Sequence, residues 1–95
     1  MIKVVAKFEV EPDRIGEFKQ IASELIDETR QEEGNISYEL YQNNKNEQIL
    51  TFIEEWKNQK ALETHMETNH FRTALPKFQK ISTTKPEINT YTKVK

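Results

Sequence analysis

Apolar and polar residues alternate from the first turn of the chain. Ile2, Val4, Ala6, Phe8 and Val10 are spaced by Lys3, Lys7 and Glu9, the two-residue period of a strand with one buried face. Val5 breaks the alternation, so the opposite face is not wholly polar. Glu11-Pro12-Asp13 ends this strand, and Pro12 with Asp13 predicts a helix start, with the Asp13 carboxylate capping free amides. Ile15, Phe18, Ala22, Leu25 and Thr29 follow at spacings of three and four, an amphipathic helix. Gly34 then predicts a left-handed closing conformation just past the helix end.

Ile36, Tyr38 and Leu40 alternate with Ser37, Glu39 and Tyr41 as a second strand, and Asn43-Asn44-Lys45-Asn46 is a turn leading into a third, from Glu47 to Trp56. These two strands are expected to form a hairpin. In the third, Ile49 and Ile53 share one face while Leu50, Phe52 and Trp56 share the other, the signature of a central strand covered on both sides. Asn58 predicts a helix cap before Ala61, Leu62, His65 and Met66. A break at Thr68-Asn69 precedes further helix through Phe71, Ala74, Leu75, Phe78 and Ile81, which Pro76 is expected to kink or restart. Ile88, Thr90, Thr92 and Val94 alternate as a last strand, with Tyr91 on its other face. The order β-α-β-β-α-β predicts an α+β, ferredoxin-like fold: one domain over residues 1–95, a four-stranded antiparallel sheet with helices on one face.

Composition sharpens this picture. The chain has 95 residues, 35% hydrophobic and 32% charged, so its apolar residues must be placed efficiently to build one core. Apolar positions on both faces of strands one and three predict that the open sheet face meets a second copy, as a two-fold homodimer with sheets face to face. Fourteen basic and sixteen acidic residues are interspersed, for a formal charge of -2. There is no basic stripe to neutralise a phosphate backbone, and nucleic acid is not an expected partner. The absence of Cys removes thiolate chemistry. No apolar run approaches the length of a membrane span, and a cytoplasmic location without membrane association is expected.

Candidate chemistry gathers in residues 54–71, which hold Trp56, His65, His70 and Phe71. An imidazole with a near-neutral pKa beside an aromatic wall can take a proton from a phenol, a quinol or a carbon next to a carbonyl. His65 and His70 are therefore the candidate catalytic pair, with Trp56, Phe71, Phe8 and Tyr38 around a small-molecule pocket. Leu75 joins them if the ligand is apolar, whereas Lys7, Arg72 and Lys77 are the cations a phosphorylated ligand would need. Glu54 and Glu55 precede Trp56 where a carboxylate could orient a His, but they read first as a solvated pair at the strand end. No metal is expected, because two histidines five apart across a helix break share no helical face and the spacing implies no third ligand.

The step Gln31-Glu32-Glu33-Gly34-Asn35 into strand two, Glu55-Trp56 at the end of strand three, and Ala61-Leu62-x-x-His65 followed by His70-Phe71 resemble the antibiotic biosynthesis monooxygenase domain family over essentially the whole chain. The resemblance implies a dimeric α/β barrel joined through its sheets, with a pocket between sheet and helices in each subunit. The chain is most similar to the small quinol monooxygenase type, which implies oxygenation of an electron-rich aromatic by O2 without a cofactor. It is equally similar to the type that processes phosphorylated autoinducer-2, which implies isomerisation of a small phosphorylated ketone by proton transfer. A non-catalytic binding dimer is a third reading, and predicts a filled core with no cavity beside His65. The haem-degrading branch differs, because Lys7, His65 and Leu75 stand where that branch carries its Asn, Trp and axial His.

Overall fold

The computed structural model describes Met1–Lys95. Its elements run β1 (Ile2–Glu9), α1 (Ile15–Thr29), β2 (Asn35–Gln42), β3 (Ile49–Trp56), α2 (Gln59–Met66), α3 (Asn69–Lys80) and β4 (Glu87–Thr92). The four strands form one sheet in the order β2-β3-β1-β4, antiparallel throughout. This is the expected ferredoxin-like arrangement, with the second helical region divided into α2 and α3. No helix is long and apolar enough to cross a membrane.

Strand parity decides what the helices cover. Val4, Ala6 and Phe8 of β1 and Leu50, Phe52 and Trp56 of β3 are buried on the helix side, where Phe18, Ala22 and Leu25 of α1 and Ala74 and Phe78 of α3 meet them. Phe8, Phe18, Phe52 and Phe78 form the aromatic centre of this core, with the Phe18 and Phe78 rings 4.4 Å apart at their centroids. Four large rings in contact supply much of the buried apolar area available to so polar a chain. On the other face Lys3, Val5 and Lys7 stand beside Ile49, Thr51, Ile53 and Glu55, and no element of the chain covers them.

The helix ends follow local chemistry, with two corrections to the sequence reading. Asn58 caps α2 as expected, accepting from the Ala61 amide at 2.9 Å, and Thr68 opens α3 by accepting from the Phe71 amide at 3.2 Å. Asp13 does not cap α1: the helix starts after Arg14 without a side-chain cap, and Arg14 instead pairs with Glu17 at 2.8 Å. Gly34 is not left-handed, since no residue has positive φ. Its place is set by α2, because a Cβ at Gly34 would lie 2.2 Å from the Ala61 Cβ. α3 does not restart at Pro76 but continues to Lys80, since contacts of Ala74 and Phe78 with the core hold the turn whose amide the proline lacks.

Candidate active site

The α2–α3 break places both histidines. Leu62 and His65 are the buried positions of α2, one turn apart, so His65 follows the apolar stripe into the core. Thr68 closes the break, its hydroxyl donating to the His65 carbonyl at 2.7 Å, and α3 then departs with His70 in its first turn. The two rings end 6.1 Å apart at their centroids. Between them stands Glu32, from the connection after α1. Its Oε2 is 2.8 Å from His65 Nδ1 and 2.6 Å from His70 Nε2, while Glu28 approaches His70 Nδ1 at 3.4 Å.

This arrangement sets the tautomer of His65. A carboxylate oxygen accepts, so Nδ1 carries the hydrogen, and in the neutral ring Nε2 carries the lone pair. Nε2 is buried and has no protein partner. Burial holds the His65 pKa below the ordinary imidazole value, with His70 acting in the same direction and the Glu32 contact opposing it. Burial thus favours the neutral ring and leaves its basic nitrogen without a protein partner.

His65 lines a cavity of about 180 Å³ between the sheet and the α2–α3 layer, a size suited to a small ligand. Phe8, Tyr38, Phe71 and Leu75, all expected at a pocket, contribute to its wall, and no Lys or Arg does. Two expected residues stand elsewhere. Trp56 is fully buried and is not part of the cavity wall; its indole packs against the tilted His65 ring, with centroids 4.6 Å apart. His70 lines a separate groove between α1 and α3 and reaches the cavity only through Glu32 and His65.

Glu54 is a further correction. Far from being solvated, it is 5% exposed and lines the cavity, with Oε1 accepting from Trp56 Nε1 at 2.9 Å. Burial pushes its carboxyl up to about 7, against the lowering effect of the indole hydrogen bond and with a further push from Glu32. The signal was present in the sequence: Glu54 shares the parity of Leu50, Phe52 and Trp56, the inward face of β3. No local signal marks Glu32, whose contacts with the histidines span 33 and 38 residues of chain.

The histidines also converge where a break was expected to part them. One Glu32 oxygen and one ring nitrogen from each histidine lie within 4.8 Å of one another, a donor set that suits a divalent transition metal. A cation held there would replace the protons that now join the three side chains.

A sheet-and-helix cavity with a carboxylate-held imidazole on its wall is joined by direct likeness to known proteins. The family model for antibiotic biosynthesis monooxygenase matches residues 1–77, and the chain belongs to that family. It is 36% identical over 72 residues, 76% of each chain, to a Bacillus subtilis protein named "Putative monooxygenase YcnE". A conserved protein from Methanosarcina mazei Go1 shares 41% identity, with 95% of this chain and 89% of that one covered and a TM-score of 0.93. A solved antibiotic biosynthesis monooxygenase, 29% identical with both chains fully covered, superposes with a TM-score of 0.95.

Proposed function

We propose that this protein is a cofactor-independent monooxygenase that oxidises a small quinol- or phenol-type aromatic with O2. One observation carries the reading: the His65 ring lines the cavity with Nδ1 held by Glu32 and Nε2 left without a partner. A substrate hydroxyl placed against Nε2 loses its proton to His65, and Glu32 stabilises the imidazolium that forms. The resulting anion is electron-rich enough to reduce O2 itself. For an anthrone-type substrate the net change converts a ring CH2 and O2 into a ring C=O and water, with all electrons supplied by the substrate. His70, on the far side of Glu32, positions that carboxylate and offers the proton a route towards the α1–α3 groove.

The cavity wall favours this substrate class over a phosphorylated ketone. Lys7 lies on the open face of the sheet, Lys77 lines the His70 groove, and Arg72 is not part of the cavity wall. A phosphate seated beside His65 would lack a cationic partner, whereas a flat aromatic would meet Phe8, Phe71 and Leu75.

The test is oxygen uptake by metal-stripped protein with a panel of reduced naphthoquinols and anthrones, corrected for autoxidation. Wild-type protein is expected to accelerate uptake, and His65→Ala to lower the rate by roughly 10²–10⁴-fold while retaining its circular dichroism spectrum. Uptake unchanged in a folded His65→Ala protein removes His65 from the mechanism.

A further inference from the structure

We propose that Glu54, held by Trp56 and joined by the Tyr38 hydroxyl, forms a second polar subsite in the cavity, which donates a hydrogen bond to a carbonyl or phenolate oxygen of the ligand. The inference rests on the small-aromatic reading and narrows its substrate: the ligand carries at least two oxygen functions, one for His65 and one for Glu54.

The placement comes from the strand register. Tyr38 on β2, Glu54 on β3, Val4 on β1 and Thr90 on β4 form one row across the helix face of the sheet, and all four line the cavity. Within that row Glu54 is fixed at one oxygen and free at the other. Its Oε1 accepts from the Trp56 indole, while its second oxygen is not among the sealed, unpartnered atoms and the residue lines the cavity. The Tyr38 hydroxyl has the same status, without a protein partner and open to the same space. Burial and the nearby Glu54 and Glu32 carboxyls push Tyr38 far above its ordinary value, so it remains a neutral donor.

A carboxyl group in this setting is a donor when protonated and a repulsive charge when ionised. The titratable groups around it are Tyr38 from β2, Glu32 from the α1–β2 connection and His65 from α2; its β1 neighbour Val4 and the α3 wall residues Phe71 and Leu75 carry no charge. None is a fixed cation. Nothing therefore stabilises the ionised form except the indole, which supports the protonated donor in an apolar site.

Binding measurements separate this subsite from turnover. The probes are 1,4-naphthoquinone, which carries two carbonyl oxygens, and naphthalene, which carries none, titrated calorimetrically without any reductant. Wild-type protein at about pH 5.5 is expected to bind the quinone about tenfold more tightly than naphthalene, and to lose most of that preference near pH 8.5, where Glu54 ionises and Tyr38 alone still donates. Glu54→Gln keeps an oxygen for Trp56 and presents an amide N–H to the cavity, so its preference is expected to persist at both pH values. A wild-type preference that is equal at both pH values, or a Gln variant that loses it at low pH, overturns the proposal. So does failure of the quinone to bind at millimolar concentration. Since no oxygen is consumed, absence of oxygenase activity with these binding results intact would overturn the monooxygenase reading alone.

Discussion

At the residue scale, the site is a division of labour around Glu32. One carboxylate oxygen serves two imidazoles, and only one of these imidazoles borders the cavity. Glu32→Gln retains an acceptor for His65 Nδ1 but removes the charge that stabilises its protonated form. The expected result is a fall in kcat of roughly 10²–10⁴-fold, with little change in KM. Because the Glu32 contact raises the His65 pKa, its loss moves the acidic limb of the kcat profile to lower pH. An unchanged acidic limb would show that His65 titrates independently of Glu32. Two residues of the cavity wall were legible at this scale, since His65 and Phe71 could be picked out from residues 54–71. The two acids were not: Glu54 was passed over despite its parity, and Glu32 has no sequence neighbour that reveals its role.

At the element scale, the site depends on how closely α2 approaches the start of β2. Lys57 donates its amide to the Gly34 carbonyl at 2.9 Å, and Ala61 packs where a Gly34 side chain would stand. This contact places the first turn of α2 against the connection that carries Glu32. Gly34→Ala is expected to cost about 1–3 kcal/mol in urea unfolding, through overpacking rather than backbone strain. The double variant with Ala61→Gly opens the clash and should recover part of the loss, despite the lower helix propensity of glycine. If the double variant is no more stable than the single, the close approach is not the reason for Gly34. Sequence reading located every element, with β3 and β4 shorter than expected. It misassigned the causes at Asp13 and Gly34, because caps and close approaches depend on a partner whose position the local sequence does not hold.

At the scale of the whole molecule, two buried titratable groups pull stability in opposite directions with pH. The Glu54 carboxyl sits near 7 when folded, above its unfolded value, so the folded state holds the proton more tightly and stability falls as pH rises through that interval, by up to about 3 kcal/mol. His65 is lowered in the fold; its contribution is present above the unfolded imidazole value and lost as pH falls below it. Thermal unfolding is therefore expected to show maximal stability on the acid side of neutrality, and Glu54→Gln to remove most of the loss towards alkaline pH. A variant whose stability falls as steeply as wild type between about pH 4.5 and 7 would rule out Glu54 as its source.

The open sheet face belongs to the same scale. Val5 and Ile53 face each other across β1 and β3, and Tyr41 and Tyr91 are each 52% exposed near its two edges. We propose that a second copy covers this face as a two-fold dimer. Sedimentation at micromolar concentration is expected to give a dimer for the wild type and a folded monomer for Ile53→Lys. A monomeric wild type would contradict the proposal.

The period of each segment, the order of strands and helices, the cap at Asn58 and the aromatic and imidazole character of residues 54–71 are written in the chain itself. These are local properties, carried by alternation, spacing and side-chain type over a few neighbours. Folding in three dimensions is what brings His65 and His70 together on Glu32, keeps Trp56 out of the cavity wall and turns Glu54 inward beside Tyr38. Each of these depends on contacts between strands or between α1 and the α2–α3 break. Such contacts take their meaning from strand register and helix docking, which the whole core selects by burying Phe8, Phe18, Phe52 and Phe78 together.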